Sequence, residues 1–121
     1  MSLTMSVRRA GDITIVDFSG RIVLGEQGAS LRNLINGLLS KGHNKILFNL
    51  GDVVHIDTSG LGYLLSALLS IQKRQGELKL LNLTKKVEDV MQITKLYTVF
   101  EIFEDEVAAV KSFGRSASAT A

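Results

Sequence analysis

Two spacings of apolar residues alternate along this chain. "VRRAGDITIVDFSG" reads as two short strands around a turn at Ala10-Gly11-Asp12. Ile13, Ile15 and Phe18 are its apolar positions, and the alternation breaks near Val16. In "LGEQGASLRNLINGLLSKGHN", Leu31, Leu34, Ile35, Leu38 and Leu39 recur at i, i+3, i+4, i+7 and i+8. That is the stripe of an amphipathic helix, with Gly42 as its C-terminal stop. "KILFNL" (45–50) is an almost unbroken apolar run, as in a strand covered on both faces. The helix "LGYLLSALLSIQKRQG", closed by Gly76, and a second central-type strand, "ELKLLNL" (77–83), come next. "TKKVEDVMQIT" has Thr84 as N-cap and a stripe of Val87, Val90, Met91 and Thr94. "VFEIF" (99–103) reads as a last short strand. "EDEVAAVKSF" reads as a final helix with acids in its first turn, where the helix dipole favours them.

The order β-β-α-β-α-β-α-β-α predicts an α/β fold with a mostly parallel sheet and right-handed crossovers. With no proline in the chain, glycines and polar caps do all the punctuation. At 121 residues and 45% hydrophobic, the chain is sized for one domain with one core. The absence of cysteine removes thiolate metal sites and cysteine nucleophiles, and it fits a reducing compartment.

No apolar run reaches the roughly 20 residues of a membrane span, and "MSLTMSVRR" lacks a signal core. The expectation is a cytoplasmic protein without membrane insertion, with Met5 as the natural start and the first four residues an expression remnant. Net charge is only +2, and the basic residues are scattered as pairs (Arg8–Arg9, Lys73–Arg74, Lys85–Lys86). Nucleic-acid binding wants a concentrated basic stripe, so it is not expected. "EIFEDE" (101–106) carries four acids and reads as a solvated helix start.

The candidate chemistry lies in "HIDTSGLG" (55–62), between an apolar stretch and an apolar helix. Asp57 is placed to cap that helix by accepting the backbone N–H of Ser59 or Gly60, worth about 1 kcal/mol. On a helical wheel Leu61, Leu64, Leu65, Leu68 and Ile71 form the core stripe, with Leu69 on its edge. Ser59, Tyr63, Ser66 and Ser70 gather opposite, flanked by Lys73 and Arg74. Gly60 and Gly62 each cost about 1 kcal/mol relative to alanine in a helix, so something must approach the backbone there. Packing against a strand explains one of them more readily than both.

The site is poorly equipped for catalysis. A serine nucleophile needs an oriented base within reach, and His55, Asp57 and Ser59 on one strand end cannot fold into a triad. His55 reads as an ordinary strand-end side chain. The glycines match neither the Walker loop, which needs a lysine, nor the dinucleotide fingerprint. An exposed serine can instead be another enzyme's substrate. Phosphorylation of Ser59 adds roughly −1.5 to −2 charge, favoured by the helix N-terminus and opposed by Asp57. Little unfolding is expected; the surface charge changes and a partner is lost.

"DTSGLG" resembles the D-[ST]-S-G-[LIV]-G signature of STAS domains, the bacterial anti-sigma factor antagonists. The resemblance covers residues 5–113, including "SGRI", "ILFNLGDVVHIDTSGLG" and "GELKLLNLTKKVEDVMQITKLYTVFEIFEDEVAAV", and leaves 114–121 as a disordered tail. It implies a small mixed, mostly parallel sheet with an N-terminal hairpin and about four helices. It also implies a non-enzymatic antagonist without cofactor or metal, whose unphosphorylated form binds a serine-kinase anti-sigma factor and frees a sigma factor. That kinase uses ATP to phosphorylate the motif's second hydroxyl, here Ser59, and a PP2C-type phosphatase resets the switch. Asp57, Thr58, Gly60, Leu61, Gly62, Tyr63 and Ser66 are then the partner-binding residues. Thr58 stands where many members have serine and offers a minor second site. "RIVLGEQGA" lacks the apolar-acidic pattern usual in close antagonists. Two other readings stay open: a STAS module docking a permanent partner in a stressosome scaffold or lipid-transport complex, and nucleotide binding or weak hydrolysis at the glycine-containing junction.

Overall fold

The computed structural model describes residues 3–25 and 27–114, so the expected disordered tail lies, Gly114 apart, outside the described residues. Strands β1 (Thr4–Ala10) and β2 (Ile13–Ile22) form the antiparallel hairpin. Gly11 sits at its turn with φ +64, where a side chain would be strained. Then follow α1 (Gln27–Ser40), β3 (Lys45–Ile56), α2 (Thr58–Lys73), β4 (Glu77–Leu81), α3 (Lys85–Thr94), β5 (Ile102–Phe103) and α4 (Glu106–Ser112). The five strands lie in sequence order, and β2, β3, β4 and β5 pair in parallel. This is the mixed, mostly parallel α/β sheet that the element order predicts.

Alternate strand residues serve opposite faces. Val16, Phe18, Ile46, Phe48, Leu78 and Leu80 meet Leu31, Ile35, Leu64, Leu68 and Met91 in the larger cluster, under α1, α2 and α3. Phe18 and Phe48 meet edge to face at 4.8 Å between centroids. Ile13, Ile15, Leu47 and Leu81 face the other way, against Ala109 of α4 and Phe113 just past its end. The alternation broke near Val16 because Ile13–Val16 is buried on both faces, whereas a period of two marks a strand with one wet face.

The thinner layer is tied down by charge. Arg8 bonds to Asp17 at 2.7 Å and to Glu106 at 2.6 Å, joining both hairpin strands to α4. The Arg8 guanidinium holds the Asp17 and Glu106 carboxyls below the usual carboxylate range. Lys79, 3% exposed, donates to the Ser112 carbonyl at 3.0 Å and pairs with Glu101 at 3.1 Å. Asp105 caps α4 by accepting from Ala108 N. The acids of "EIFEDE" are a largely solvated helix start, as read, in which Glu101 and Glu106 also form ion pairs and Asp105 caps the helix.

Three element readings are corrected. The strand read as 45–50 continues to Ile56, because two irregularities against β2 absorb Leu50–Gly51, opposite Phe18, and Val54, the residue before His55. The helix before β4 closes at Arg74–Gln75, with Gln75 at φ +55. Gly76 still takes part in the closure, its amide donating to the Ile71 carbonyl at 2.9 Å, but the left-handed residue is Gln75. Gly76 is also required because a Cβ there would collide with the Asn44 carbonyl oxygen. Of "VFEIF", only Ile102–Phe103 pairs as strand, with Val99 exposed.

Candidate functional site

The site begins where β3 hands over to α2. Asp57 has extended backbone and accepts Gly60 N on Oδ1 at 2.8 Å, so the predicted cap is present. Its second oxygen reaches Leu24 N at 3.4 Å, and its own amide donates to the Ile22 carbonyl at 3.3 Å. The turn carrying Ser59 is thereby joined to the chain leaving β2.

Gly60 is buried against that same segment. A Cβ built on it would stand 2.0 Å from the Ile22 carbonyl oxygen and 2.9 Å from Ile56 Cγ1. Gly62, two residues on, is exposed, and a Cβ there would meet nothing within 4 Å. So the two glycines divide as the packing argument allowed. Internal contact requires Gly60; nothing among the described residues requires Gly62.

At 3.6 residues per turn, Thr58, Ser59, Gly62 and Ser66 occupy one outward wedge of α2. Thr58, Gly62 and Ser66 are exposed and Ser59 is half-buried. The Ser59 hydroxyl takes no part in the bonds that tie Asp57, Gly60 and Tyr63 to their neighbours. Leu61 is 2% exposed and belongs to the core, and Gly60 is turned inward as well. Both can serve a partner only by shaping the backbone, because their faces of the helix are covered by the sheet.

Tyr63 also departs from the wheel reading. Its ring leans between α1 and α2, where a Cβ on Gly28 would lie 2.6 Å from Tyr63 Cε1. Its hydroxyl accepts Gly25 N at 3.1 Å. A small groove between these helices, lined by Gly28, Ile35, Tyr63, Ser66 and Ser70, continues from the site. The sequence reasoning missed the Val23–Gly25 segment and its exposed Leu24. The usable signal was Gly28, reached by stepping the α1 stripe back three residues from Leu31.

His55 is half-buried near the end of β3, opposite Arg21, in keeping with its strand-end reading. Among the described residues no group of three or more His, Asp or Glu side chains could hold a metal ion. Nor is any described helix long and apolar enough to cross a membrane. What the arrangement offers is a small ledge without charged side chains of its own, made by Thr58, Ser59, Ser66 and the bare Gly62 at the start of α2.

Residues 4–109 match the family model described as STAS domain. A Thermotoga maritima protein named as an anti-sigma factor antagonist is 35% identical over 77 residues, 64% of this chain and 68% of that protein. A solved anti-sigma factor antagonist structure from the same species superposes with a TM-score of 0.81 at 26% identity, covering 88% of this chain and 92% of that one. The Bacillus cell fate determinant SpoIIAA, solved in its phosphorylated form, shares the fold at a TM-score of 0.69 and 18% identity, over 89% of this chain and 97% of that one.

Proposed function

This chain belongs to the STAS domain family, and from that premise we propose that it is a phosphorylation-controlled anti-sigma factor antagonist acting in the cytoplasm. Unphosphorylated, it docks through the outer side of α2 on an anti-sigma factor that is also a serine kinase, and the sigma factor is released. The kinase then transfers the γ-phosphoryl group of ATP to Ser59 Oγ; the hydroxyl proton leaves and ADP departs. A PP2C-type phosphatase hydrolyses the ester and restores the serine. The protein is a binding module and a substrate, and the catalysis belongs to its partners.

The observation that carries this reading is the bare ground at Gly62 beside Ser59. A glycine at an exposed helix position costs about 1 kcal/mol against alanine, and among the described residues no atom comes near enough to require it. A partner that packs on the backbone gives the gap a purpose. The same packing makes the surface sensitive to charge, since a phosphoserine brings roughly −1.5 to −2 charge. The first-turn amides of Thr58 and Ser59 lack intrahelical acceptors and favour an anion, while the Asp57 carboxylate repels it. These terms oppose each other within the fold, so the partner feels the modification more than the domain does. The family's relatives named for anti-sigma factor antagonism, and a fold relative solved in phosphorylated form, support the assignment.

Incubation with the anti-sigma factor kinase and ATP, followed by mapping of phosphate by mass spectrometry, is the test. One phosphate on Ser59 is expected. Ser59→Ala should bind the kinase and stay bound when ATP is added, and Ser59→Asp should bind weakly from the outset. Phosphate elsewhere with Ser59 untouched overturns the reading.

A further inference from the structure

Leu24 is 73% exposed, and a lone exposed leucine is ordinary by itself. Its mounting is less so. The Leu24 amide is bonded by the Asp57 carboxylate and the next amide, Gly25, by the Tyr63 hydroxyl. Gly25 then accepts from Gly28 N at 3.3 Å, closing the turn into α1. Behind this, the Ile22 carbonyl is pressed against Gly60, and the Tyr63 ring fills the notch that Gly28 leaves open. Asp57, Gly60 and Tyr63 recur every three residues along one side of α2. The chain from Ile22 to Gly25 is therefore strapped to the turn that carries Ser59, with two of its amides bonded by the side chains of Asp57, the N-cap of α2, and Tyr63.

We propose that Leu24 is a specificity-determining contact for the partner that reads Ser59, and that Tyr63 is the positioning residue that presents it. This rests on the phosphoswitch reading above and deepens it. The strap sets an apolar side chain in fixed register with the serine, so a kinase that reaches the hydroxyl meets Leu24 in one place. Tyr63 itself stays between the helices and acts through the strap. Freed from its hydroxyl, the strap keeps its sequence but loses its register, and the docking contact is weakened while the transfer step is not.

The experiment compares wild type, Tyr63→Phe and Leu24→Ser by thermal unfolding, by amide hydrogen exchange, and by steady-state phosphorylation with ATP and the kinase that modifies Ser59. Tyr63→Phe keeps the ring in the Gly28 notch, so its unfolding temperature should stay close to wild type. Exchange at the Gly25 amide should quicken by about tenfold, as a lost tie to a locally opening segment does. KM for the protein substrate should rise by about fivefold with kcat nearly unchanged, the signature of lost uniform binding. Leu24→Ser should show the same rise in KM with Gly25 exchange unaltered. Wild-type KM in both variants, with Ser59 still phosphorylated, overturns this inference alone. Failure of the wild-type protein to accept phosphate on Ser59 overturns the underlying reading, and this inference with it.

Discussion

Gly60 and Gly62 stand two residues apart in one helix, and the ground around them could hardly differ more. On the inner side of the turn, Gly60 faces the Ile22 carbonyl and the Ile56 side chain at distances no Cβ tolerates. On the outer side, Gly62 faces open space among Thr58, Ser59 and Ser66. The inner glycine is a folding residue; the outer one serves nothing within the described fold. The same residue type in the same motif thus separates what positions the site from what the site is for.

The largest effect should come from breaking the inner side. Gly60→Ala forces a methyl group into a backbone carbonyl that cannot rotate away as a side-chain tip could. Overpacking of this kind costs about 1–3 kcal/mol or more, against a gain of about 1 kcal/mol in helix propensity. A net loss of about 2 kcal/mol is expected, which lowers the unfolding temperature by about 10 °C in a domain of this size. Thermal denaturation followed by circular dichroism measures it. An unchanged melting temperature would mean that α2 can lift off Ile22 freely, and the distinction between the two sides would dissolve.

How far this division was legible in the sequence depends on range. Asp57 as cap, Ser59 in the first turn and the Leu64–Leu68–Ile71 stripe follow from local spacing, and they stand in the structure as read. The mostly parallel sheet followed too, because strands alternating with helices favour parallel pairing; the strand order itself came only with the structure. Tyr63 did not follow. Its place on the wheel borders the exposed wedge, and the notch that draws the ring inward belongs to Gly28, on another helix. The full length of β3 was hidden for a related reason. Gly51 and Asp52 interrupt the apolar run, and only β2, which pairs Ser19 with Asp52, carries the strand through them. Lys79 is a third case: a lysine inside an apolar strand gives no hint that Ser112 and Glu101 will satisfy it.

Asp57 touches both sides of the turn, so changing it sharpens the comparison at intermediate cost. Asp57→Ala leaves Gly60 N and Leu24 N without their acceptor and should destabilise the domain by about 1 kcal/mol, the usual worth of an N-cap. Asp57→Asn keeps an oxygen for the cap and should retain most of that stability. It also removes the carboxylate that opposes a phosphate two residues away. Denaturant unfolding of each variant, with and without phosphate on Ser59, separates the two roles. The expected pattern is a phosphorylation penalty smaller in Asp57→Asn than in wild type. An equal penalty would show that Asp57 contributes capping alone.

The smallest effect on stability should carry the opposite sign. Gly62→Ala adds a methyl group where nothing among the described residues stands within 4 Å and gains helix propensity, so the domain should become more stable by up to about 1 kcal/mol. If the outer side is kept bare for a partner's close approach, that gain comes with weaker binding of the anti-sigma factor, by about tenfold or the 1.4 kcal/mol that corresponds to it. Calorimetric titration and thermal unfolding on the same preparation read both quantities. Stability and affinity moving in opposite directions is an outcome that neither a damaged fold nor a neutral surface can produce. A variant that is more stable and binds as well as wild type would leave Gly62 without a function, and the docking surface would have to be sought away from this wedge of α2.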